Sequence, residues 1–276
     1  MNATQKGQYI NRVEDTSHII NEIDSLLHNL LNKNRLKEEW QRIEKGDSKN
    51  IHPFVMAAYK AHKQIQSFIE KKVFAVTPEI LELYELAVKA NRLKKANVKG
   101  LDSRLNTLIS QDLNKYYESK YQLQVGEMLL NKGYKINFIE EEIKQTPDIL
   151  VTQFNESCEI ECKHKNPNEI SKDYVKSIYN STQIARKQFS KSYAGLITID
   201  TSEEQLKKCS LEDLKKVIDI AMKNSKSISG VLLTFKSIEE DQDDFIYRHR
   251  VGGFFNNPNA RYKIPEWLFK NLINVD

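Results

Sequence analysis

The sequence predicts an all-helical front half followed by a mixed α/β domain. Up to about residue 110, apolar residues recur at steps of three and four, with no alternating β-branched run. Beyond that point, short segments of strand character interleave with long helical stretches. The composition suits packed cores of this kind: 39% hydrophobic and 29% charged over 276 residues, with only 9 Gly and 6 Pro.

In the front half, His18, Ile19, Ile20, Ile23, Leu26, Leu27, Leu30 and Leu31 mark one helix. Phe54, Val55, Ala58, Ile65, Phe68 and Ile69 mark a second, after His52-Pro53. Thr77-Pro78-Glu79-Ile80 reads as a helix start, with Thr77 as N-cap and Pro78 in the first helical position. Leu81, Leu83, Tyr84, Leu86, Ala87 and Leu93 follow on that helix. The stretch 97–103, with Gly100, is the expected boundary, which gives a helical domain at 1–110 and an α/β domain at 111–276.

In the back half a helix is expected from about Leu113 to Asn131, ended by Gly133 in a left-handed cap. Strands are expected at 134–139, 148–154 and 158–163, with Asn155-Glu156 as the tight connection between the last two. A helix at 170–190, a strand at 194–199 and helical text at 203–224 come next. Two strands, 230–238 and 245–255, flank the acidic turn 239–244, and 265–272 closes the chain as a helix.

Composition excludes several classes of function. No window approaches the roughly 18–20 apolar residues that span a bilayer, and the opening MNATQKGQYINRVEDT lacks the apolar run of a secretory leader. The three cysteines, Cys158, Cys162 and Cys209, lack zinc-ligand spacing and suit a reducing compartment, so a cytoplasmic protein without a membrane partner is expected. No glycine-rich phosphate loop and no Ser/His/Asp or Cys/His arrangement is legible. Formal charge is +4, unevenly spread: residues 1–110 hold 18 basic against 13 acidic residues, and the remainder 24 against 25. That imbalance fits a polyanion partner or simply a solvated lysine-rich helical surface.

The chemistry concentrates in Cys158-Glu159-Ile160-Glu161-Cys162-Lys163. Strict alternation puts Cys158, Ile160 and Cys162 on one side of a strand, as small buried hydrophobes. Glu159, Glu161 and Lys163 fall on the other. The preceding strand opens at Thr146-Pro147-Asp148, so pairing across the short turn lets Asp148 converge on Glu161 and Lys163.

Pro147-Asp148, twelve intervening residues and then Glu161-Cys162-Lys163 resembles the PD-(D/E)XK nuclease superfamily. An acidic residue two before a lysine is common here, as at Asp47/Lys49, Glu70/Lys72, Glu118/Lys120, Glu142/Lys144 and Asp213/Lys215. Only Glu161/Lys163 lies on an alternating strand behind a Pro-Asp strand and an upstream helical glutamate, Glu127. The expected order α-β-β-β-α-β is similar to the superfamily core over about residues 112–235, and does not extend to the helical front. The resemblance implies an α/β fold, a restriction-endonuclease-like mixed sheet flanked by helices, similar also to Holliday-junction resolvases.

It also implies roles. Asp148 and Glu161 would hold a hard divalent cation, Mg²⁺ with Mn²⁺ as a substitute, aided by the Cys162 backbone carbonyl. Glu127 would bind it directly or through water, or is an ordinary helix glutamate on a polar stripe with Lys120, Gln124 and Asn131. Lys163 would orient the attacking water or stabilise charge at the phosphate. Glu159 is an added ligand or a salt-bridge partner, and Gln183 a polar residue near the site or part of a solvated face. Lys165, Arg186, Lys187, Arg248 and Arg250 are candidate nucleic-acid contacts. The expected activity is metal-dependent DNA endonuclease, with a ribonuclease or a non-catalytic nuclease-fold binder as alternatives, and the helical front contacting DNA, a partner or a second copy.

Overall fold

The computed structural model describes residues 8–9, 13–29, 33–46, 51–110, 112–140, 146–165, 174–241 and 244–273. The chain divides into two units: residues 1–97 with 101–127, and residues 98–100 with 128–276. The division falls inside a helix rather than near residue 110, because one helix runs unbroken through the end of the first unit.

The first unit holds α1 (Val13–Asn29), α2 (Lys33–Glu44), α3 (Pro53–Lys71), α4 (Pro78–Lys95) and α5 (Leu101–Thr107). Of the positions that the periodicity marks, Ile19, Ile23, Leu26, Phe54, Val55, Ala58, Leu83, Leu86, Ala87 and Leu93 are buried, whereas Ile69 at the end of α3 is 67% exposed. Leu30 and Leu31 lie outside the described residues. The Thr77 hydroxyl accepts from Ile80 N–H at 3.4 Å, with Pro78 in the first turn, as the sequence predicts. One expectation needs correcting. The front is not purely helical: β1 (Gln8–Tyr9) pairs antiparallel with β2 (Ala75–Val76), a two-residue contact too short to show as alternation.

Helix α6 (Leu113–Asn131) has the expected bounds. It ends on Gly133 at φ +81°, where Tyr134 N–H reaches Leu129 O at 3.2 Å and Gly133 N–H reaches Leu130 O at 2.9 Å. That pair of bonds is a Schellman cap, which satisfies the last carbonyls of the helix.

The second unit is built on one mixed sheet, in the order β3 (Lys135–Phe138), β4 (Ile149–Gln153), β5 (Glu156–His164), β6 (Ala194–Ser202), β7 (Ile228–Asp241), β8 (Asp244–Asn256). The first three strands and the last pair are antiparallel neighbours, while β5, β6 and β7 run parallel. Parallel neighbours need crossovers, supplied by α7 (Tyr174–Ala185) and by α8 (Glu203–Lys207) with α9 (Leu211–Met222). Helices α7 and α9 pack against each other and share a core with the sheet through Ile178, Ile197, Ile199, Ile218, Val231 and Leu233. Helix α10 (Glu266–Ile273) brings Trp267 against Tyr134 and Phe269 against Phe254.

Two boundaries moved. The β4–β5 turn is Phe154-Asn155, both at positive φ (49° and 65°), as a type I′ hairpin requires, and Glu156 already belongs to β5. The helical text at 203–224 breaks into α8 and α9, because Ser202 and Ser210 each cap a separate N-terminus. Residues 166–173, where the preceding helix was expected to start, lie outside the described residues.

Candidate active site

The β4–β5 hairpin places the candidate residues. Its last paired residues are Ile149 and Ile160, and one step further along the antiparallel register Asp148 stands opposite Glu161. At the strand end the Asp148 side chain extends the pairing as an acceptor: its Oδ2 accepts from Cys162 N–H at 2.7 Å. Lys163, two residues beyond Glu161 on the same side, brings Nζ to 2.6 Å from Glu161 Oε1. Asp148, Glu161 and Lys163 thus meet at one end of the hairpin.

The electrostatics are those of a buried carboxyl pair with one cation. Glu161 is 1% exposed, and burial, then the negative charge of Asp148, push its carboxyl up to about 9, against the pull of Lys163. Its Oε2 is buried with no hydrogen-bond donor among the described residues. Lys163 is the more accessible member, its side chain 18% exposed. A buried carboxylate oxygen without a donor, beside a second carboxyl, suits a hard divalent cation, for which Asp148, Glu161 and a main-chain carbonyl are oxygen donors of the right kind. Among the described residues no group of three or more His, Cys, Asp or Glu side chains gathers as a cation site.

The alternation reading holds for Cys158, Ile160 and Cys162, all buried. Thr198 Oγ1 lies 3.4 Å from Cys162 Sγ, and burial raises the Cys158 thiol far above its usual range, so both cysteines are inert core groups. The opposite side of β5 is not solvent-facing as a simple hairpin would suggest. In the parallel register, Glu161 aligns with Ile197 and Lys163 with Ile199, and both isoleucines belong to the core covered by α7 and α9.

The other candidates have partners of their own. Glu127 is the last residue of the first unit, and its Oε1 accepts from Arg92 Nη1 on α4 at 2.6 Å. Its stripe neighbour Lys120 reaches Glu82 at 3.2 Å. Glu159, 5% exposed, forms no ion pair among the described residues, and its Oε2 accepts from Ser190 N–H at 2.8 Å. Gln183 turns to α9, donating to Ala221 O at 3.0 Å. Lys165 donates to Ser177 O and Oγ and to Ser181 Oγ on α7, which draws its ammonium to that helix. Arg250 Nε lies 3.4 Å from Ser237 Oγ across the β7–β8 pair, and the Arg248 side chain lies outside the described residues.

Sequence reasoning missed Asp200. Parallel pairing sets it beside His164, with Nδ1 and Oδ2 at 2.8 Å, a partnership made across a crossover of 35 residues that no local spacing reveals. Comparison with known proteins returns no matching family model and no matching curated protein. No described helix is long and apolar enough to cross a membrane.

Proposed function

We propose that the second unit is a metal-dependent phosphodiesterase of the PD-(D/E)XK type that cuts DNA, with Mg²⁺ as its ion. The observation that carries this reading is the buried triad: Asp148 and Glu161 side by side, Lys163 on Glu161, and a carboxylate oxygen left without a donor. The order α6-β3-β4-β5-α7-β6, with Asp148 entering one strand and Glu161 and Lys163 on the next, supports it.

When bound, a divalent cation at Asp148 and Glu161 supplies charge neutralisation at the phosphate and a more acidic water. The chain's own groups do the rest. Asp148, anchored on Cys162 N–H, is held in a single orientation. Glu161 enters the ionised state as its proton is displaced. Lys163, then less tied to Glu161, presents an ammonium that orients the attacking water and neutralises charge on the phosphate oxygens. None of these residues distinguishes a 2′-hydroxyl, so the plasmid incubation below is repeated with RNA of mixed sequence.

A second reading has one observation in its favour. With no third acidic, histidine or cysteine ligand gathered among the described residues, the same unit could bind nucleic acid without turnover. Incubation of supercoiled plasmid with the full chain in Mg²⁺, Mn²⁺ or EDTA separates the two. Nicking or linearisation is expected with metal, none in EDTA, and none from Lys163→Ala with unchanged circular dichroism. Equal cleavage by Lys163→Ala refutes the assignment, and a folded, inert protein that binds no metal supports the second reading.

A further inference from the structure

At the opposite end of the sheet from Asp148 and Lys163 lies a basic cleft. It is framed by the connection from α7 into β6, the connection from α9 into β7, and the chain following β8, and has a volume of about 360 Å³. Arg186, Lys187, Lys191, Lys226 and Arg261 line it, and no acidic side chain does. None of these five cations forms an ion pair among the described residues. Elsewhere in the same unit several lysines are paired: Lys207 with Glu203, Lys208 with Glu204, Lys215 with Asp219 and Lys270 with Glu266. Five like charges around one cavity repel one another, and an anion relieves that repulsion.

The cleft is held open by its frame. Arg186 Nη2 is placed by Asn224 O at 3.1 Å, and Arg261 by Lys191 O at 3.4 Å and, through its own N–H, by Lys226 O at 2.8 Å. Buried Asn257 donates to Met222, Ser225 and Ile228 carbonyls beneath, and Glu159 fixes Ser190 N–H at the wall. Tyr193 and Tyr262, 40% and 42% exposed, stand at the lining as aromatic surfaces.

We infer that this cleft binds the phosphate and base of a nucleotide, taken as one unit of a single-stranded nucleic acid. Clustered lysine and arginine side chains meet the phosphate, tyrosine faces stack with a base of any identity, and the volume is that of one small-ligand pocket. The register of β5 with β6 puts Cys158 beside Ala194 and Lys163 five residues on, so the cleft stands on the order of 16 Å from Lys163 along the strand. The site is therefore separate from the proposed phosphodiesterase centre and does not depend on it.

The test is fluorescence anisotropy of a labelled twelve-residue oligo(dT) with the full chain in EDTA, which removes any contribution from a cation site. Lys191→Glu with Lys226→Glu is expected to weaken binding at least tenfold. It should also flatten the slope of log affinity against log salt by about 0.7, the loss of the one phosphate contact that the cleft makes. Tyr193→Ala with Tyr262→Ala should weaken binding of oligo(dT) and leave an abasic oligomer unaffected. Thymidine monophosphate tells the sources apart: if it competes only weakly, the cleft is a strand site; if it competes as well as the oligomer, the site takes free nucleotides. Unchanged affinity in the folded charge-reversed variant overturns the inference. So does equal displacement by heparin with tyrosine variants that bind as the parent does.

Discussion

Replacing Glu161 with Gln removes a single ionisable group from a site where burial and Asp148 hold the carboxyl at about 9, against an ordinary 4.5. Below pH 4.5 the folded and unfolded chains both carry that proton. Between 4.5 and 9 the folded chain retains it and the unfolded chain has released it, so stability falls as pH rises, by at most about 1.4 kcal/mol per pH unit for one proton. From pH 5.5 to 8.5 the metal-free parent should therefore lose up to about 4 kcal/mol relative to Glu161→Gln, which keeps the shape and carries no charge. Urea unfolding in EDTA measures this directly. Trp267 reports on the second unit: its Nε1 donates to Glu156 Oε2 at 2.9 Å and its ring lies 4.9 Å from Tyr134. A Trp40→Phe background silences the other of the two tryptophans. Titrating groups away from Asp148, Glu161 and Lys163 are common to both proteins and cancel in the difference. Excess Mg²⁺ at pH 8.5 should then restore stability to the parent and not to Glu161→Gln. Parallel pH profiles for the two proteins would refute the buried-carboxyl argument outright.

Asp148 has two jobs that conservative substitution separates. Asp148→Asn keeps an oxygen for Cys162 N–H and should fold normally while losing Mg²⁺ affinity, whereas Asp148→Ala loses both and costs a further ~1–3 kcal/mol for the stranded N–H. Urea midpoints and calorimetric Mg²⁺ titration of the pair check it, and equal stability of the two variants would discount the strand-end role. Gly100→Ala should destabilise the second unit by more than about 1 kcal/mol, because φ is +74° and the added Cβ would stand 2.2 Å from Phe138 O. Thermal unfolding read at Trp267 is the measurement, and a Tm unchanged from the parent would contradict that backbone geometry.

The features legible in the sequence are those that local chain geometry dictates. A strand's two-residue period puts Glu161 and Lys163 on one side, whatever packs over it, and a tight turn obliges Asp148 to come alongside. Thr77-Pro78 and Gly133 announced helix ends because capping uses residues within one turn. The bounds of α6 were read correctly for the same reason, while the division of the chain within it was not: helix propensity is continuous there, and only packing distinguishes one unit from the next.

What tertiary structure alone decided depends on residues far apart in the chain. Parallel pairing with β6 buried both sides of β5, which turned Glu159 from an apparent surface charge into the anchor for Ser190 and drove the Glu161 carboxyl upward. Packing of α7 spent Lys165 and Gln183 on structural hydrogen bonds. The cations of the basic cleft come from three connections spread over about 75 residues, gathered because parallel β6 and β7 begin, and antiparallel β8 finishes, at the same end of the sheet. Alternation and capping are properties of a short stretch of backbone; burial, charge coupling and convergence are properties of neighbours that only the folded sheet supplies.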